Sequence, residues 1–312
     1  MSEPDNALLL AAPRLVDLVP YTSLADGLPT PVSQPVERLW VKHEDAADSR
    51  YGGNKVRKLE HLLAVAARRG GPVLTAGAVG SHHVVATAVH AARLGLDVEA
   101  VRFPQPETDH VRAMSARADD LGVRTTVARS SYLMPAVLAA RWAALAPGGA
   151  TLVTPGGSTP LGTLGHVATG LELAAQVDEE PDDVIVALGS GGTAVGIALG
   201  LAMAGWRRAR VVAVRVADRI VTNRPVLAGI EAGVRGLLGL AGVRPSPVRL
   251  TIDGGWFGAG YGHPTAAGAE AQLRAAELGL TVEPTYTAKA LAAALARHEH
   301  GRRVVYVHTL SQ

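Results

Sequence analysis

Nine short runs of aliphatic and β-branched residues alternate with longer Ala- and Leu-rich stretches through most of the chain. The short runs, at 39–43, 73–76, 98–103, 125–128, 151–154, 184–188, 211–216, 248–252 and 304–308, predict strands. They are apolar throughout rather than alternating, the pattern of parallel strands covered on both faces. The intervening stretches predict helices over 55–69, 83–94, 108–121, 133–145, 161–176, 193–204, 225–240, 265–278 and 288–298. Repeated strand–helix–strand units imply a doubly wound α/β fold. The first forty residues instead carry Pro20, Pro29, Pro31 and Pro35 and predict an arm over the surface. The uncharged run 184–204 is long enough for a membrane span. Its interior Gly189-Ser190-Gly191-Gly192-Thr193 predicts instead a buried strand, a tight loop and a buried helix.

Composition narrows the function. A length of 312 residues suits one large or two medium α/β domains. Net charge is only +2, and no basic stripe is interleaved with aromatics, so no nucleic-acid partner is expected. The absence of cysteine removes disulfides, thiolate metal sites and a Cys nucleophile. His82 and His83 lack further ligands at suitable spacing, so no metal is expected. The N-terminus is acidic before its apolar stretch at 8–12, unlike a signal peptide, which points to a cytoplasmic protein without a membrane anchor.

Four lysines stand against 26 arginines, and two of the four lie in Gly52-Gly53-Asn54-Lys55-Val56-Arg57-Lys58. A lysine amine can lose its proton inside a protein and attack an aldehyde, whereas a guanidinium cannot. Gly-Gly-Asn before Lys55 predicts a tight bend that presents the side chain. Lys58 reads as a charge on the helix face.

Three Gly-rich loops follow strands. Gly189-Ser190-Gly191-Gly192-Thr193 opens a helix, offering N–H groups and a helix dipole to a phosphate. Gly189-x-Gly191-x-x-Ala194, with Asp218 further on, also satisfies a loose dinucleotide fingerprint, which leaves a nicotinamide-dependent dehydrogenase open. The loop 75–83 has Ser81 at a helix N-cap, with N–H groups beyond it that suit a carboxylate. The third loop contains Gly156-Gly157-Ser158. Tyr261 and Tyr286 each lie in Gly- or Pro-rich frames suited to proton donors at a cleft.

Together these segments resemble the pyridoxal-phosphate enzymes of the tryptophan-synthase-β fold, specifically the 1-aminocyclopropane-1-carboxylate deaminase and D-cysteine desulfhydrase family. The matching pieces are Lys42-His43-Glu44-Asp45, Gly53 to Glu60, the Ser81 loop, Gly156-Gly157-Ser158, Gly189 to Gly196, Tyr261-Gly262-His263-Pro264, Pro284-Thr285-Tyr286-Thr287 and the run 304–309. The resemblance implies two doubly wound parallel-sheet domains of fold type II. The larger, cofactor-binding domain would comprise 1–54 and 167–312, and the smaller domain 55–166. It implies pyridoxal 5'-phosphate as cofactor, with Lys55 forming the Schiff base and Asn54, His82, Gly189, Ser190, Gly191, Gly192 and Thr193 around it. Thr287 or Thr309 would lie near the pyridine nitrogen. Ser81, His82, His83, Gly157, Ser158, Tyr261 and Tyr286 would face a small amino-acid substrate. Lys55, Ser81, Tyr261 and Tyr286 would be catalytic, through α,β-elimination and an aminoacrylate to a keto acid and ammonia. A homodimer is implied as well.

Departures set this chain apart. Thr287 stands where the deaminases carry Glu, and His82 stands where the family usually has Asn. Leu310-Ser311-Gln312 replaces two glycines. These changes imply a divergent substrate. A β-substitution enzyme, a deaminase and a non-catalytic cofactor-binding homologue are the alternatives within the fold.

Overall fold

In a computed structural model, which describes residues 6–310, the strands form two sheets. The larger has the order β1 (Val32–Val36), β2 (Leu39–His43), β10 (Val304–His308), β7 (Asp183–Leu188), β8 (Arg210–Arg215) and β9 (Leu250–Asp253). The smaller has the order β5 (Arg124–Val127), β4 (Val98–Phe103), β3 (Val73–Ala78) and β6 (Thr151–Leu152). All pairings are parallel except β1 with β2. The chain thus has two α/β domains, with one antiparallel edge that the apolar pattern did not reveal. That edge strand contains Pro35, which lacks the N–H that a central strand needs.

Helices cover both faces of each sheet. They are α1 (Ala7–Ala11), α2 (Leu15–Leu18), α3 (Lys55–Arg69), α4 (His82–Ala92), α5 (Asp109–Asp120) and α6 (Met134–Leu145), followed by α7 (Pro160–Gln176), α8 (Gly192–Met203), α9 (Arg224–Leu240), α10 (Ala266–Glu277) and α11 (Thr287–Glu299). One core of the larger sheet joins α7, α8 and α9 to Val184, Val186, Val305 and Val307. The other joins α10 and α11 to Val41, Ile185, Val212 and Tyr306. In the run 184–204 the apolar residues divide between β7 and α8, and no helix among the described residues could cross a membrane.

The N-terminal arm is not draped over the surface. Leu8, Leu9, Leu15 and Val19 enter the core beneath α7, and Leu24 enters the core of the smaller sheet. Buried Glu60 on α3 accepts the N–H groups of Leu24 at 3.1 Å and Ala25 at 3.2 Å, and the Tyr21 hydroxyl at 3.2 Å. The apolar residues between the prolines therefore tie the arm into both cores. Helix α7 is unbroken through residue 166, so a boundary there would cut a helix. It also crosses α3 closely, since a Cβ on Gly165 would lie 2.1 Å from the Arg57 carbonyl oxygen.

Candidate active site

The loops that follow β2, β3, β6, β7 and β10 all leave the C-terminal ends of parallel strands, where α/β sheets open a crevice. A cavity of about 560 Å³ lies at the opposite edge, lined by Glu37, Arg38, Trp40 and Arg303. It contains none of the residues described below.

Lys55 opens α3 after a strained turn. Gly53 has φ +99°, and a Cβ there would lie 2.9 Å from the Thr309 carbonyl oxygen. The Asn54 N–H donates to that oxygen at 3.0 Å, and its side-chain amide donates to Thr193 Oγ1 at 2.8 Å. His166 Nε2 donates to the Asn54 carbonyl at 2.8 Å. Lys55 Nζ in turn donates to Asn54 Oδ1 at 2.7 Å. Burial pulls the Lys55 ammonium down from 10.5 to about 8, against the opposing pull of Glu283.

One turn along α3, Lys58 is 2% exposed and no helix-face charge. Its Nζ donates to the Gly156 carbonyl at 3.0 Å and to Ser158 Oγ at 2.9 Å. Among the described residues no carboxylate lies within ion-pair distance. Burial, with Lys55 beside it, holds this amine well below its ordinary value. Ser158 Oγ also receives the Gly192 N–H at 3.0 Å and meets Ser190 Oγ at 2.7 Å. Gly191, with φ +94°, is the N-cap of α8. A Cβ on Gly192 would lie 2.7 Å from Ser158 Oγ, and one on Gly189 would lie 3.3 Å from the Tyr286 ring. Gly157 packs on the Lys58 stem. Ser158, expected on the substrate side, thus joins Lys58 and the Gly189–Thr193 loop in one hydrogen-bonded cluster, with Gly157 beside it.

Ser81 occupies the N-cap of α4 but its side chain makes no capping hydrogen bond. Gly77 leaves room for it, since a Cβ there would lie 2.5 Å from Ser81 Oγ. His83 departs from expectation. It is 5% exposed, its Nε2 lies 2.9 Å from Thr75 Oγ1, and burial pulls it down to about 3. Its ring is neutral and turned into the core, so only its backbone N–H faces the Ser81 loop. Both nitrogens of His82 are engaged, Nδ1 with Tyr51 at 2.6 Å and Nε2 with His110 at 2.9 Å. A contact from either His82 ring nitrogen to another group would break one of these bonds, whereas its backbone N–H at the start of α4 is not part of them.

The two predicted tyrosines do meet. Tyr261 Oη and Tyr286 Oη are 2.6 Å apart, with their rings edge-on at 74°. Burial raises both phenols above their ordinary range. Tyr286 is held by Glu283, which the sequence reading passed over. Its carboxylate accepts the N–H groups of Thr285, Tyr286 and Thr287 at 2.8, 2.6 and 2.8 Å, closing the N-terminus of α11. Thr287 Oγ1 receives the Glu283 N–H at 2.8 Å, and Thr309 is 5% exposed beside the Lys55 turn. Leu310 lies against Gly53, whereas Ser311 and Gln312 fall outside the described residues.

Behind this site lies a fully paired set of charges. Arg57 donates to Glu44 at 2.6 Å and to Glu172 at 2.7 and 2.8 Å, and Lys42 donates to Glu172 at 3.0 Å. All four side chains are buried.

A family model described as "Pyridoxal-phosphate dependent enzyme" matches residues 23–309. A D-cysteine desulfhydrase from Salmonella paratyphi A is 32% identical, covering 95% of this chain and 93% of that protein. A putative 1-aminocyclopropane-1-carboxylate deaminase from Pyrococcus horikoshii is 31% identical, covering 97% of this chain and 93% of that one. The crystal structure of an ACC deaminase homologue superposes with a TM-score of 0.82 at 28% identity, over 98% and 94% of the two chains. That of an O-ureido-L-serine synthase, at 16% identity and a TM-score of 0.65, shares the fold. The dehydrogenase alternative falls with these matches, and Asp218 is an exposed residue beyond β8.

Proposed function

Because this chain belongs to the pyridoxal-phosphate dependent enzyme family, we propose that its loops assemble a D-cysteine desulfhydrase-like lyase site around Lys55. The residues fit the cofactor on two counts. Lys55 offers an amine whose pKa lies near 8. Lys58, buried without a carboxylate, faces Ser158, Ser190 and the N-terminus of α8, which together would hold a phosphate. That buried amine, with no carboxylate partner among the described residues, is the observation that carries the reading.

Pyridoxal phosphate, when bound, supplies an aldehyde for amines and a ring that withdraws electrons from the substrate α-carbon. The protein supplies placement and protons. Ser81 and the N–H groups after it would take the substrate carboxylate. Lys55 Nζ, neutral in part near pH 8, would remove the α-proton. The Tyr261–Tyr286 pair, kept protonated by burial, would deliver a proton to the departing β-substituent. With one water consumed, the amino acid then yields a keto acid, ammonia and the protonated leaving group.

A small amino acid as substrate, a cytoplasmic location and a homodimer complete the proposal. Exposed Tyr132, Val127 and Trp142 beside α6 support a dimer face, to be checked by light scattering. Incubation of the holoenzyme with D- and L-cysteine, reading sulfide and keto acid, tests the activity. Production from D-cysteine is expected, and none from either isomer would set the desulfhydrase reading aside.

A further inference from the structure

Three side chains from three separate elements form a hydrogen-bonded chain beside the Ser81 loop. Tyr51, in the turn before Lys55, is 1% exposed and places Oη 2.6 Å from His82 Nδ1. His82 Nε2 lies 2.9 Å from Nε2 of His110, an exposed residue in the first turn of α5. Met114 and Arg117 reach Tyr51 from the same helix. The Met114 Sδ is 3.8 Å from Oη, and the Arg117 guanidinium lies 4.7 Å from the ring centroid. Residues 110, 114 and 117 share one face of α5, so that face grips the turn carrying Lys55 and the start of α4 together.

The direction of the chain follows from its donors. Burial raises the Tyr51 phenol above its ordinary value, so it keeps its proton. The imidazole nitrogen is a far better acceptor than the thioether, so Tyr51 donates to Nδ1. Burial, then His110 and Lys55, pull His82 down to about 3, so it is neutral and carries its one proton on Nε2. That N–H donates to His110.

We propose that the Tyr51–His82–His110 chain positions loop 77–83 against the Lys55 turn for capture of the substrate carboxylate. His82 is the residue next to Ser81, so fixing its ring fixes the peptide whose N–H groups face the carboxylate. These are positioning residues, and the inference rests on the carboxylate role assigned above to the Ser81 loop.

Two measurements test it. In the holoenzyme, His110→Ala is expected to raise KM for D-cysteine, or the Kd of D-alanine read from the cofactor absorbance, about five-fold, the usual effect of one lost hydrogen bond. kcat should stay within about two-fold, since the reacting groups are untouched. In the apoprotein, the same variant should speed amide exchange in peptide 77–84. His110→Gln keeps an acceptor for the Nε2–H and should restore both. Tyr51→Phe should match His110→Ala, and the double variant should be no worse than the larger single effect. Unchanged exchange in His110→Ala, or an equal loss of kcat, cofactor affinity and melting temperature, would overturn the proposal. Ser81→Ala separates the two claims. If it leaves substrate affinity unchanged, the carboxylate role falls, while the exchange result still decides the chain.

Discussion

Two faces of helix α3 carry basic side chains under opposite conditions. On one, Arg57 meets the carboxylates of Glu44 and Glu172, which also receive Thr30 and Lys42. On the other, Lys55 and Lys58 meet amide, hydroxyl and carbonyl oxygens but no carboxylate within ion-pair reach. A buried amine without a carboxylate costs stability, whether as an unmatched ion or by giving up its proton, so a protein keeps one for a reason beyond stability. The Arg57 face holds β2, α3 and α7 together. The Lys55 face leaves two amines without a carboxylate, which suits the proposed phosphate-bearing cofactor.

The contrast can be broken from either side. Glu172→Ala takes from Lys42 its only carboxylate within ion-pair distance among the described residues, leaves Arg57 with Glu44 alone, and should lower unfolding free energy by about 3–5 kcal/mol in urea titrations. A loss below about 1 kcal/mol would mean that the network is not the scaffold described here. Lys58→Met should do the reverse to the apoprotein, leaving its melting temperature unchanged or higher, because a desolvated amine is replaced by an apolar side chain. The same change should weaken cofactor binding by about 10- to 100-fold in absorbance titrations, through loss of a charge-assisted contact to phosphate. Undiminished affinity would remove Lys58 from the cradle.

A smaller effect sharpens the contrast through pH. Lys55 in the folded apoprotein titrates near 8, below its ordinary 10.5, so the folded state releases this proton first. The unfolded chain then holds more protons between those values, and stability rises with pH across that interval. Buried tyrosines, with raised values, oppose the trend as unfolded phenols ionise near pH 10. Apoprotein melting temperature should therefore climb from pH 8 toward 10, and more shallowly in Lys55→Met. Parallel curves would place the depressed amine elsewhere.

Much of this is legible in the sequence. Helix α3 and strands β4 and β10 begin and end at the residues their patterns predict, with Asn54 and Gly70 bounding α3 and Pro104 ending β4. The Lys55 turn, the Gly189–Thr193 loop and the tyrosine pair, each singled out by its residues, lie side by side. What escaped depends on distant partners. Strand β1 is hidden by Ser33, Gln34 and Pro35 and exists only because β2 pairs with it. Lys58 looks like a helix-face charge until Gly156 and Ser158, some hundred residues on, close over it. His110 carries no motif and gains meaning only when α5 packs beside His82. The scarcity of lysine was the one available signal for Lys58. Lys42 and Lys289 are fully buried as well, and Lys55 is partly so.

The most direct test of the unmatched face is to reconstitute the protein with pyridoxal phosphate, reduce it with borohydride and map the modified peptide by mass. The account predicts a pyridoxyl group on Lys55, with Lys42, Lys58 and Lys289 unmodified. A label on Lys58, or a protein that retains no reducible cofactor, would contradict it.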